Sequence, residues 1–340
     1  MNIRDIAKLA GVGVSTVSRV LNNHPDVKNS TREKVLKVVK ESNYIPNNSA
    51  RVLKQNNTKN IGVLVKGIFN PFFSEMINTI ACKINDAGYT MILKQNYSGE
   101  YRDIDLLKSF IKDKRLQGVI CLGGNFVDID EKYIKEIDVP IVLTSADNYN
   151  KEYTKGYSYI SIDNNKAAYE ATELLIKNGH KNIVIMIADS YSDEGLNKER
   201  LNGFKKALKD YGIEYNDNNL LEGHYKSDIS YEVTKKLLKE NIDVTAIFAT
   251  SDIMAIGCAK AIVDSNKVVG KDISLIGIDG MDISEFYNPP ITTIKQPKEI
   301  MANTSLELLI NIIENKSEHK YMILDTELII RESIKNLIKN

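Results

Sequence analysis

Residues 3–21 read IRDIAKLA, GVG and VSTVSRVL, and this stretch decides the fold. Ile3, Ile6, Ala7 and Ala10 recur at helical spacing, and Asn2 stands where an N-cap would accept a free backbone N–H. Gly11 and Gly13 bracket Val12 and allow a sharp turn. The next block gathers Val17, Val20 and Leu21 on one face and leaves Val14, Ser15, Ser18 and Arg19 on the other. Two short helices joined by a tight glycine turn have the form of a helix-turn-helix, whose second helix enters the DNA major groove. Ser15 and Arg19 lie one turn apart and point the same way. Arg grips guanine O6 and N7 with two donors, and Ser donates or accepts. An amphipathic helical hairpin with a solvated face has the same pattern. GVGVST also resembles a truncated phosphate loop, but that motif follows a strand and this one follows a helix.

The chain has 340 residues, a length that suits a small domain and a larger one. Its formal net charge of zero hides an asymmetry. Residues 1–60 hold 11 Lys/Arg and 4 Asp/Glu, and the remainder holds 34 and 41. A basic head on an acidic body implies that the head meets a polyanion. Cys82, Cys121 and Cys258 are far apart and odd in number, so neither a disulfide framework nor a zinc spacing follows, and a cytoplasmic setting is expected. The start of the chain is a charged amphipathic helix rather than a signal peptide, and no apolar run is long enough to span a bilayer.

Beyond Leu21 a polar loop leads to a third helix. Ser30 and Glu33 have capping-box spacing at its start, and Val35, Leu36 and Val39 would close a three-helix core. Pro46 ends it, because proline disfavours helix at the residue before it. Residues 47–60, NNSARVLKQNNTKN, read as a linker too short to hold a helix alone in water. From Ile61 short apolar runs at 61–65, 90–93, 118–122, 140–144 and 159–162 alternate with amphipathic stretches. A second series follows at 182–188, 246–249 and 274–278. Such alternation means buried parallel strands in βαβ units, and two series mean two similar lobes. The expected fold is an N-terminal all-α helix-turn-helix headpiece, then a two-lobed α/β domain with parallel sheets, like a periplasmic binding protein.

AKLAGVGVSTVSRVLNN and TREKVLKVVKESNYIPNNSARVLK together resemble the lactose/galactose repressor family of bacterial transcription regulators. The resemblance runs to Arg331. It implies a headpiece at 1–46, a hinge at 47–60 and an effector-binding, dimerising domain at 61–340. Within that domain it implies an N-lobe of about 61–160 plus 293–321 and a C-lobe of about 162–291 plus 322–335. The partners implied are a palindromic DNA operator, a small-molecule effector, sugar-like in most relatives, and a second copy of the chain; no cofactor or metal is implied.

The family pattern assigns DNA contact to Val14, Ser15, Thr16, Ser18 and Arg19, and to Asn47, Ala50, Leu53 and Lys54 in the hinge. Leu53 matches a leucine that wedges into the minor groove, with Arg51 beside it. For the effector it points to Phe72, Phe73, Asp163, Lys198, Tyr225, Ser251 and Asp279, at strand ends where this architecture places ligands. Phe72 and Phe73 read equally as core, Asp163 as a helix N-cap, and Asp252 as the cap of the helix that follows it. Six positions depart from the pattern, one of them Ser251, which stands where many relatives have Asn. Lys198 stands where many relatives carry Arg, Ser145-Ala146 replaces an acidic-basic pair, and Glu194 and Leu196 fall where a purine-type site has Arg and Thr. Lys198 would add a cation near the ligand, favouring a phosphorylated or acidic effector.

A solute-binding protein of the periplasmic type would share the lobes, but would have a signal peptide and no headpiece. A nucleotide-dependent enzyme would show a phosphate loop after a strand or a nucleophile with a base. His24, His180, His224 and His319 form no such constellation. Seven residues follow Ser333, too few for a tetramer zipper, so a dimer is expected.

Overall fold

The structure, a computed structural model, describes residues 1–21, 24–44, 59–67, 70–96, 102–127, 129, 131–147, 156–189, 195–240 and 243–338. The expectations on Asn47, Ala50, Arg51, Leu53, Lys54 and Glu194 lie outside these residues. The chain divides into two compact units, Met1–Thr58 and Lys59–Asn340.

In the first unit three helices, α1 (Ile3–Ala10), α2 (Val14–Leu21) and α3 (Asn29–Glu41), close on a small core. Asn2 caps α1 by accepting from the backbone N–H groups of Arg4 and Asp5, and Asp5 returns a bond to the Asn2 N–H. Gly11 ends α1 at φ 61°, a left-handed turn that glycine enters without a Cβ clash. Ile6, Ala7, Ala10, Val17, Val20 and Val35 are buried together. Two details of α3 differ from the sequence expectation. The helix begins at Asn29 behind Lys28, so Ser30 lies inside the first turn and no side chain caps it. Leu36 is 46% exposed, because Val38 and Val39 turn the face that packs on the core.

The second unit holds two six-stranded sheets. The first runs β1 (Asn60–Lys66), β2 (Thr90–Asn96), β3 (Gly118–Leu122), β4 (Ile141–Thr144), β5 (Ser158–Ile162) and, far along the chain, β11 (Tyr321–Leu324), in the order β11-β5-β4-β3-β1-β2. All its pairings are parallel. The second takes β6 (Ile183–Ile187), β7 (Leu220–Glu222), β8 (Ala246–Ala249), β9 (Ser274–Asp279), β10 (Thr292–Lys295) and β12 (Glu327–Ile329), in the order β12-β10-β9-β8-β6-β7. Only β10 and β12 run antiparallel. Several strands, β3, β5 and β6 among them, are buried along their whole length, which is why they read as unbroken apolar runs.

Each lobe is discontinuous, but the crossings differ from those expected. Residues 292–295 stay in the second sheet, because Thr292–Lys295 pairs in parallel with Ile276–Asp279. The chain crosses only after Lys295, and helix α12 (Lys298–Ile313) buries Met301, Leu306 and Leu309 in the core of the first lobe. Residues 321–324 then belong to the first sheet, where Tyr321 stacks on Tyr159 with ring centroids 4.9 Å apart. The return to the second lobe comes between Leu324 and Glu327.

Candidate functional site

On the headpiece, α2 turns Val17 and Val20 inward, and this sets what faces out. Val14, Ser15 and Arg19 are exposed, while Thr16 and Ser18 are partly covered. Arg19 Nη1 donates to Asp26 Oδ2 at 3.0 Å, and the other oxygen of Asp26 lies 2.7 Å from His24 Nδ1. The loop carrying Asp26 is tied down twice. The His24 N–H donates to the Arg19 carbonyl at 2.9 Å, and Arg32 Nη2 of α3 donates to the His24 carbonyl at 2.6 Å.

In the second unit the polar groups at the strand ends converge on Arg200. Helix α8 (Leu196–Asp210) packs Leu196, Leu201, Phe204 and Leu208 inward, and Arg200 falls on that same face, 3% exposed. Its Nε donates to Asn164 Oδ1 at 2.8 Å and its Nη1 to the Thr250 carbonyl at 2.6 Å. The Asp147, Asp279 and Tyr225 side chains all feel its charge.

Asp147 follows β4 in the first lobe and reaches across to α8, where its Oδ1 accepts from the Leu196 N–H at 2.7 Å. Gly195, the N-cap residue, has no side chain to cap that helix, so a carboxylate from the other lobe does it. Burial pushes the Asp147 carboxyl up to about 6, against the opposing pull of the Leu196 N–H, Arg200 and Lys66.

Asp279 ends β9 at φ 122°, a strained backbone for a residue with a Cβ. It accepts from Gln296 Nε2 at 2.8 Å. Asp252, fully buried, accepts from the Met281 N–H and from Thr293 Oγ1 at 2.7 Å each. Burial raises both carboxyls, Asp279 raises Asp252 further, and Arg200 pulls Asp279 back down. Thr250 Oγ1 and Gln296 Oε1 are buried polar atoms without a partner in the protein, which is the condition a polar ligand relieves.

The seven expected effector residues divide. Asp279 and Tyr225 meet around Arg200; the Tyr225 hydroxyl donates to Asn197 Oδ1 at 3.1 Å. Phe73 is partly exposed and stands over Gly123, where a Cβ would approach its ring to 2.7 Å. Phe72 is buried in the core of the first lobe. Asp163 is exposed and accepts from the Lys166 N–H, as the cap of helix α7 (Asn164–Lys177). Its neighbour Asn164 is the residue that turns in to Arg200. Ser251, not Asp252, caps helix α10 (Asp252–Asp264), accepting from the Met254 N–H at 3.4 Å. Lys198 is only part-covered, and the guanidinium that turns inward is that of Arg200, two residues on. Likewise the acid nearest to Ser145-Ala146 that turns inward is Asp147, one residue later. An arginine falling on the apolar period of α8 was the available signal, since an unpaired Arg is almost never buried.

Two family models match the chain: "Bacterial regulatory proteins, lacI family" over residues 2–47 and "Periplasmic binding protein-like domain" over 172–334. The HTH-type transcriptional regulator MalR of Clostridium butyricum is 56% identical over 99% of this chain and all of its own length. The chain belongs to the LacI family. The HTH-type transcriptional repressor PurR of Photobacterium profundum is 34% identical over 98% of this LacI-family chain and 99% of its own. Among solved structures, the Lac repressor dimer bound to operator and the anti-inducer ONPF is similar at a TM-score of 0.74, with 26% identity and 98% of each chain covered. A complex of the transcriptional regulator CelR with cellobiose is similar at 0.70, with 28% identity over 98% of this chain and 99% of that one. This protein is accordingly a LacI-family HTH-type transcriptional regulator, and its relatives carry the names of regulators rather than enzymes. Among the described residues no helix is long and apolar enough to cross a membrane.

Proposed function

We propose that the protein is a cytoplasmic repressor that binds a palindromic operator as a dimer and is governed by a neutral, polyhydroxylated effector between its lobes. One observation carries the DNA half: α2 leaves Val14, Ser15 and Arg19 on one exposed face of a basic headpiece. Arg19 and Ser15 read base edges there, and Thr16 and Ser18 meet phosphates. Two headpieces related by a two-fold axis would occupy two half-sites. The hinge reading, with Leu53 as a minor-groove wedge flanked by Asn47, Ala50 and Lys54, rests on the family resemblance.

The effector half rests on charge. Arg200 acts on the carboxyls of Asp147 and Asp279, while Lys66 is engaged by Asp103 at 2.9 Å and Lys298 by Glu75 at 2.6 Å. An anionic ligand would enter a cleft whose carboxylates outnumber its uncommitted cations. Hydroxyl groups suit it instead, because each can donate to a carboxylate and accept from a guanidinium. This reading departs from the expectation that Lys198 favours a phosphorylated or acidic effector. The cellobiose bound to CelR is a ligand of this neutral class.

The test is selection of operator sequences from a random pool by the wild type and by Arg19→Ala. Loss of a two-donor guanine contact relaxes preference at one position per half-site and costs about 1–3 kcal/mol. An unchanged preference and affinity would remove Arg19 from the reading face.

A further inference from the structure

We propose that Asp26 is a specificity-determining residue of the headpiece, which holds the Arg19 guanidinium in position to read a base. The inference rests on the proposed role of Arg19 and adds the group that aims it.

The geometry is a relay of one carboxylate between two partners. Oδ2 of Asp26 takes the Arg19 Nη1 donor at 3.0 Å and Oδ1 takes His24 Nδ1 at 2.7 Å. The backbone bonds from His24 to Arg19 and from Arg32 to His24 anchor the carboxylate's loop to α2 and α3. The Arg19 and Asp26 side chains remain 59% and 46% exposed. An ion pair that open to water adds little to stability. Its consequence is therefore conformational. A free arginine at the surface samples many rotamers, and ordering it on binding costs entropy.

With Nη1 engaged by Asp26, the Nε–Nη2 edge is left as a complete two-donor fork. No described residue occupies it. That fork matches the O6 and N7 acceptors of guanine. The same carboxylate works against the wrong contact. A negative charge beside the guanidinium lowers the gain from gripping a phosphate, which any sequence offers. Asp26 thus favours base reading over backbone binding on two grounds, preorganisation and like-charge repulsion.

The experiment measures the ratio of operator to random-sequence affinity for the full-length protein at fixed salt, by fluorescence anisotropy, together with base preference by selection. Wild type, Arg19→Ala, Asp26→Asn and Asp26→Glu are compared, with circular dichroism to verify folding. Asp26→Asn is expected to lower the ratio about tenfold, with random-sequence affinity unchanged or raised. It should broaden preference at the same half-site position as Arg19→Ala, and Asp26→Glu should recover part of the ratio. An Asp26→Asn protein with wild-type ratio and preference overturns the inference, as does an equal loss on operator and random DNA. If Arg19→Ala itself keeps the wild-type preference, the base-reading role and this inference fall together. A silent Asp26→Asn beside an effective Arg19→Ala removes the inference alone.

Discussion

Truncating Arg200 tests whether the cleft is organised as described. Arg200→Ala leaves Asn164 Oδ1 and the Thr250 carbonyl, now bonded at 2.8 and 2.6 Å, without their donor. A hydrogen bond to a charged group contributes about 1.5–3 kcal/mol, and breaking a buried charged arrangement by removing one partner costs about 3–5 kcal/mol. The variant also deprives Asp147 and Asp279 of the cation that pulls their carboxyls down. Those groups then escape part of the penalty by taking up protons, so the loss must depend on pH. At pH 5 both can be neutral and the deficit should shrink towards the cost of the two orphaned acceptors. At pH 7.5 the buried carboxylates are either ionised without their cation or protonated at a cost, and the deficit should be largest. We expect about 4 kcal/mol at pH 7.5, on the order of 10 °C in melting temperature for a unit this size, and about half of that at pH 5. Thermal unfolding followed by far-ultraviolet circular dichroism measures both. A loss below about 1 kcal/mol, or one that is the same at the two pH values, would refute the charge-centred account.

Asp147→Asn keeps an oxygen for the Leu196 N–H but has no proton to bind. Because the folded carboxyl sits near 6, above its unfolded value, the folded state binds more protons between pH 4 and 6, and wild-type stability falls as pH rises through that window. The stability of Asp147→Asn relative to wild type should therefore rise by about 2–3 kcal/mol from pH 4 to 7, and a flat difference would contradict it. Gly203→Ala should destabilise by about 1–3 kcal/mol, although Ala is the better helix former, because a Cβ there would press on the Asn165 carbonyl oxygen where α7 and α8 cross; urea denaturation reads the sign. Asp279→Ala should abolish the response of operator binding to a neutral sugar effector while leaving effector-free operator affinity near normal; a retained response with unchanged effector affinity places the site elsewhere. Leu53→Ala should weaken operator binding far more than random-sequence binding, and an equal loss on both would return residues 47–60 to a plain tether.

What was legible in the sequence is what has a period. The α2 face was readable because Val17 and Val20 repeat at helical spacing, and their burial leaves Arg19 outside. The buried strands were readable as β-branched runs. The lobe crossings were not, since a strand such as Thr292–Lys295 looks the same in either sheet; pairing with Ile276–Asp279 decides it. The cleft was half legible. Motif position found Asp279 and Tyr225. It favoured Asp163 over Asn164 and Lys198 over Arg200, because each residue along a helix turns the side chain by about 100°, so a shift of one or two positions moves it from solvent to core. Asp147 was missed for a different reason: it acts on a helix in the other lobe, and no local pattern records a partner that arrives through the fold.

That partnership bears on how an effector could act. The chain passes between lobes at 162–164, 295–298 and 324–327, three thin connections that leave relative motion of the lobes to be set by the contacts between them. The Asp147–Leu196 bond is one such contact, and it spans the cleft that a ligand would enter. A ligand shifts a two-state equilibrium only by the difference in its affinity for the two states. A hydroxyl that donates to the free lone pairs of Asp147 adds to the clasp and favours the closed arrangement. One that takes the place of the Leu196 N–H opens it, and leaves the first turn of α8 without its cap. Coupling through this clasp would take its sign from whether the effector adds to the Leu196 N–H or displaces it, and its size from what one charge-assisted bond contributes. That is about 1.5–3 kcal/mol, or roughly 10- to 150-fold in operator affinity, which is the range typical of allosteric coupling.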